Sequence, residues 1–97
     1  LSGNIVCIPI NKKYNQDAKN LCAYILKQNI VATVDTTAKS LNKKIYTHLK
    51  KGKEVLLFVG QREIESNSVN MRIKDKIIGL ISINDIIENL KLYAKNL

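Results

Sequence analysis

The chain has 97 residues, 45% hydrophobic and 25% charged, with 16 Lys and Arg against 8 Asp and Glu for a formal net charge of +8. That length allows one core, that composition excludes a disordered tail, and no apolar run approaches the roughly 20 residues that span a bilayer. Fourteen of the sixteen cations are Lys, which attracts phosphate diffusely rather than reading base edges. The surplus fits a nucleic-acid surface and a solvated lysine-rich surface equally well. An anionic membrane fits less well, because no helix pairs a basic face with a Trp/Phe face.

The opening LSGNIVCIPI has neither an initiator Met nor a basic leader, so it does not read as a signal peptide. The chain reads instead as a single domain, 1–97, cut from something longer. Ile5 to Ile10 is a continuous apolar run and predicts a buried first strand, which Pro9 either ends or leaves with an unpaired edge. From Asn15 to Gln28, Ala18, Leu21, Cys22, Ile25 and Leu26 recur at helical spacing, with Asn15 as N-cap and Asn29 in the left-handed conformation that closes the helix. Ile30 to Val34 predicts a short second strand, followed by Asp35-Thr36-Thr37.

A second helix is predicted from about Ser40 to Lys51, its inward line Leu41, Ile45 and Leu49, and Gly52 ends it. Val55 to Val59 predicts a third strand, which leads through Gly60 into a charged loop, Gln61-Arg62-Glu63-Ile64-Glu65. A fourth strand, Val69 to Ile73, delivers Arg72. After a turn at Lys74-Asp75-Lys76, Ile77 to Ile81 predicts a fifth strand interrupted by Gly79. Ser82-Ile83-Asn84-Asp85 resembles a capping box, and Ile83, Ile86, Ile87, Leu90 and Ala94 form the inward stripe of a last helix. Apolar strands alternating with amphipathic helices imply an α/β domain with a largely parallel sheet covered on both faces.

The residue inventory offers little for catalysis. There is no GxSxG, HExxH or glycine-rich phosphate loop, and the lone His48 beside Leu49 reads as a structural histidine. Cys7 and Cys22 lie in apolar patterns without metal-ligand spacing and read as reduced core thiols of an intracellular protein. Binding fits better. Ligands of parallel α/β sheets lie beyond the carboxyl ends of the strands, which here are Asn11, Asp35 to Thr37 and Gly60 to Glu63. Asp35 and Glu63 should share a rim with Lys43 and Lys44 nearby. Carboxylates there can accept hydrogen bonds from exposed bases, and Arg72 can stack on a base or grip guanine. A plain charge-laced loop with Arg62–Glu65 or Arg72–Glu63 ion pairs accounts for the same residues equally well.

Several segments together resemble the C-terminal anticodon-binding domain of class IIa aminoacyl-tRNA synthetases. They are Val6-Cys7-Ile8-Pro9-Ile10, Val34-Asp35, Lys44-Ile45, Val59-Gly60-Gln61-Arg62-Glu63-Ile64-Glu65-Ser66 and Val69-Asn70-Met71-Arg72. The tail from Gly79 to Leu90 looks most like the threonyl enzyme. This resemblance implies a three-layer fold, a five-stranded mixed sheet with three helices, that grips the tRNA anticodon stem-loop. It assigns base contacts to Glu63 and Arg72 by motif and has a basic residue at the position of Arg62; taken with the predicted topology, Arg62, Lys39, Lys43 and Lys44 should hold the RNA backbone, with Asp35 on the rim. Where many threonyl enzymes have an Arg-Asn pair, this chain has Thr37 and Ala38, and Ala38 offers a base no side-chain hydrogen bond.

The resemblance further implies no cofactor in this fragment, with ATP, Mg and Zn used by upstream domains of the parent. It implies a homodimeric parent, no membrane association, and a cytoplasmic location with an organelle as the alternative. Two rival readings remain: a synthetase-like paralogue kept as a protein- or RNA-binding module without anticodon specificity, and a small α/β nucleotide-binding domain.

Overall fold

A computed structural model describes residues 4–95, with side chains as far as Tyr93. Strand β1 (Ile5–Pro9) is followed by a single 3-10 turn, helix α1 (Asn15–Lys27), β2 (Ala32–Val34), α2 (Leu41–Lys50) and β3 (Val55–Val59). Then come a short α3 (Gln61–Glu65), β4 (Ser68–Ile73), β5 (Lys76–Ser82) and α4 (Ile83–Lys95). One five-stranded sheet runs in the order β2-β1-β3-β4-β5. The β1–β2 and β1–β3 pairings are parallel; β3–β4 and β4–β5 are antiparallel. The sheet is therefore mixed, as the family resemblance implies. The largely parallel sheet expected from the apolar runs stops at β3, because only eight and two residues separate the last three strands, too few for a crossover.

Alternation along the strands divides the interior into two layers. Ile5, Cys7, Val55, Leu57, Val59, Val69 and Met71 face α1 and α4, forming a core with Ala18, Leu21, Cys22, Ile25, Ile86 and Leu90. On the opposite face Val6, Ile8 and Leu56 meet α2 through Leu41, Ile45 and Leu49. The predicted inward lines of α2 and α4 are thus observed, although Ala94 lies outside the described side chains. Leu26 is the exception in α1: it is 48% exposed, because α1 has no second layer on that side. Both cysteines are free and buried, and burial pushes the Cys22 thiol up. Among the described residues no helix is long and apolar enough to cross a membrane.

The caps explain the boundaries. Asn11, not Asn15, opens the first helical segment: its Oδ1 accepts from the Lys13 amide at 2.9 Å, which starts the 3-10 turn one step upstream. Asn29 takes φ 62° after α1, as its residue type suggested. Ser40 Oγ accepts from the Lys43 amide at the start of α2, and Gly52 ends that helix at φ 83°. Tyr93 on α4 donates to Glu54 at 2.6 Å, fastening that helix to the chain entering β3. Burial and the neighbouring carboxylate hold the Tyr93 hydroxyl up at about 12.

Candidate nucleic-acid interface

One helix cannot cover one face of a five-stranded sheet. α2 lies over β1 and β3, so the same face of β4 and β5 is left open. Directly paired residues of antiparallel strands point to the same side. The pairs Leu56 with Arg72, Phe58 with Asn70, Asn70 with Leu80 and Arg72 with Ile77 therefore place Arg72 and Asn70 on the α2 side. A β-bulge at Ile78, where Gly79 takes φ 102°, bends β5 beside them. Ile77 is 74% exposed there.

The result is a groove of about 480 Å³ between α2, α3 and the outer strands. Ile10, Leu41, Ile45, Phe58 and Ile77 supply its apolar wall, and Gln61, Arg62, Glu63, Asn70 and Arg72 its polar groups. Glu63 and Arg72, nine residues apart in the chain, thus line one cavity. Neither the Arg62–Glu65 nor the Arg72–Glu63 ion pair forms among the described residues, whereas Lys74 pairs with Glu54 and His48 meets Asp35. Arg72 Nε donates to the Lys74 carbonyl at 3.0 Å, which steers the guanidinium while its terminal nitrogens keep their donors.

The segment predicted as a charged loop is helix α3, and that changes the setting of Glu63. It sits in the first helical turn after the cap Gly60 and is only 6% exposed. The helix start favours a carboxylate there. Gly60 makes the arrangement possible: a Cβ at that position would stand 2.3 Å from Ile10 Cδ1 and 3.0 Å from Glu63 Oε1. Arg62, at the groove's lining, is exposed. On the other side of α3 a depression of about 280 Å³ lined by Asp17, Asn20 and Tyr24 also reaches Glu63.

The tip following β2 is built around Asp35, whose amide donates to Cys7 of β1 at 3.0 Å. Its Oδ1 accepts from the Thr37 amide at 3.0 Å and the Thr37 hydroxyl at 2.6 Å. Its Oδ2 lies 2.7 Å from His48 Nε2, and its carbonyl accepts from Lys44 Nζ at 3.2 Å. Burial works to raise the Asp35 carboxyl, but the hydrogen bonds from Thr37 and His48 outweigh it and hold the group at about 2.

Two of the seven residues singled out from sequence are therefore turned inward onto partners of the fold. Asp35 presents no free carboxylate, and Lys44 is 3% exposed instead of a surface lysine. The spacing that put Lys44 beside the inward Ile45 was the available warning. Lys39 and Lys43 are exposed and, with Asn42, Tyr46 and Thr47, line a shallow basic depression on α2. Asn70 is the groove residue that sequence reasoning left unassigned. It lies two positions from Arg72 in a strand, the spacing of a shared face. Among the described residues no cluster of His, Cys, Asp and Glu could hold a metal ion.

This fold and groove are those of a binding module, and the matches to known proteins agree. Residues 4–92 match the family described as Anticodon binding domain, and the chain belongs to that family. Among similar proteins, a probable cytoplasmic threonine–tRNA ligase 1 of Dictyostelium discoideum is 29% identical over 91 residues, covering 93% of this chain and 13% of the relative. Threonine–tRNA ligases of Corynebacterium jeikeium and Bartonella tribocorum are 35% and 34% identical, over 73% and 89% of this chain and 10% and 13% of theirs. The chain thus spans about an eighth or less of these relatives.

Among solved structures, the RNA binding domain of threonyl-tRNA synthetase from Cryptosporidium parvum superposes with a TM-score of 0.84 at 21% identity, covering 91% of this chain and 22% of that one. Histidyl-tRNA synthetase from Nostoc superposes at 0.87 with 10% identity, over 97% of this chain and 23% of its own. At those identities the likeness is one of fold.

Proposed function

We propose that this chain reads the anticodon of tRNA(Thr) as a domain of a threonine–tRNA ligase, supporting ATP-dependent aminoacylation carried out elsewhere in that protein. The observation that carries this reading is the shared groove of Glu63 and Arg72. Its apolar wall of Phe58 and Ile77 can receive the face of an unstacked base, as single-stranded recognition requires. Arg72 donates to base acceptors, Glu63 accepts from base amino or imino groups, and Asn70 does both. Arg62, Lys39 and Lys43 attract the phosphates on either side. Asp35 and Lys44 contribute by shaping the loop between β2 and α2 rather than by touching RNA. A cytoplasmic parent belongs to the same proposal, supported by the cytoplasmic threonine–tRNA ligase among the relatives, and so does a homodimeric one.

One observation favours a second reading, a module without anticodon specificity. The Thr37 hydroxyl is committed to Asp35 and Ala38 has no polar side chain, so positions 37 and 38 of the loop after β2 offer a base no free side-chain group. Titrating the chain with anticodon stem-loops in which each anticodon base is replaced in turn separates the two. Anticodon reading predicts losses of about 1–3 kcal/mol for replacement of a contacted base. Equal affinity for every loop selects the unspecific module.

A further inference from the structure

Asp35 joins three elements through four of its groups. Its amide extends the ladder to β1, its carbonyl accepts from Lys44, one carboxylate oxygen closes the turn onto Thr37, and the other meets His48. Lys44 and His48 are four apart on α2, hence one turn apart on the same face, and both are directed at this one residue. The segment they fasten is unlike the rest of the interior. Residues 37–40 are exposed, yet their start is held by five hydrogen bonds and their end by the Ser40 cap.

A loop of exposed residues gains nothing from burial, so its ordering has to come from such bonds. The His48 ring is nearly buried, with its side chain 13% exposed. Among the described residues its Nδ1 has no hydrogen-bond partner, so Asp35 is the one hydrogen-bond partner of the imidazole there, and Nε2 carries the donated hydrogen.

We propose that His48 is a positioning residue for the RNA interface: acting through Asp35, it locks the 35–40 loop so that Lys39 and Lys43 stand as a preformed basic edge. This rests on the RNA-binding reading above. Lys39 follows the locked turn directly, and Lys43 is the residue whose amide the Ser40 cap engages, so both ends of the edge are referred to the same hub. Locking it before the RNA arrives removes an ordering cost that a free loop bears on binding.

The test is a double-mutant cycle. His48→Ala should weaken binding of an anticodon stem-loop roughly tenfold, while His48→Gln, whose amide can still donate to Asp35, should return to within about threefold of wild type. Combined with Lys39→Ala, the His48→Ala loss should be clearly smaller than in the wild-type background, since the loop it positions has lost its contact. The Thr37 amide resonance should move in His48→Ala and return in His48→Gln. Wild-type affinity in a folded His48→Ala chain, or losses that simply add, overturns the proposal. If His48→Ala does not fold, His48→Asn, too short to reach Asp35, takes its place beside His48→Gln. If the wild-type chain binds no stem-loop, it is the RNA-binding reading that fails. An unmoved Thr37 resonance in His48→Ala then rejects the lock as well.

Discussion

The Asp35 hub makes stability depend on acid in a way that can be isolated. Its carboxyl sits at about 2 against an ordinary 3.8. Burial pushes it upward, and the Thr37 hydroxyl, the Thr37 amide and His48 more than reverse that push. At about 1.4 kcal/mol per pH unit the gap is worth on the order of 2 kcal/mol. Because the folded state holds this proton less tightly than the unfolded chain, the stabilisation is complete above the unfolded value, near pH 4. It is lost as pH falls through about 2. Asp35→Asn keeps an acceptor for Thr37 but never carries the charge. Urea denaturation followed by circular dichroism should show wild type more stable than Asp35→Asn by about 2 kcal/mol at pH 6, the difference closing by pH 2. Other carboxylates titrate alike in both chains and cancel. A difference that stays constant from pH 6 to 2, or widens in acid, refutes the reasoning.

Gly60→Ala tests the floor of the groove. Gly60 has extended backbone at φ −152°, so alanine brings no strain, and half-exposed Ile10 can swing away; stability should change by less than about 1 kcal/mol. Ile10 and the Glu63 carboxylate must still shift, so preference among anticodon stem-loops should fall, and an unchanged preference contradicts the placing of Glu63. Lys43→Ala should weaken every RNA alike and lower the slope of log affinity against log salt by about 1, as measured by fluorescence titration over a salt series. Ile86→Ala removes a fully buried side chain of the larger core and should cost about 2–5 kcal/mol in denaturant melts while leaving the groove intact.

Much of this architecture was legible in the chain because burial and spacing agree. The run Val55 to Val59 is buried or nearly so in every residue, and its strand has the predicted ends. Ile86 and Leu90 face inward as their period requires. The errors come where a local signal competes with a tertiary one. Gln61 to Glu65 is too short and polar to show a helical period, yet Gly60 and the bond from the Ile64 amide to the Gly60 carbonyl close a helical turn. Asp35 and Lys44 carry charge, and charge in a sequence suggests solvent; what satisfies them here is a partner 13 or 9 residues away. The groove itself was half legible. The motif brought Glu63 and Arg72 together, but Asn70, Phe58 and Ile77 join them only through the strand register and the bulge.

Arg72→Ala, compared with the wild-type chain against stem-loops differing at single anticodon bases, tests the central claim most directly. The groove predicts that the substitution erases about 1–3 kcal/mol of discrimination at one base position while salt-dependent binding to all loops persists. A variant that keeps the full base preference of the wild type would show that the guanidinium of residue 72 takes no part in reading RNA.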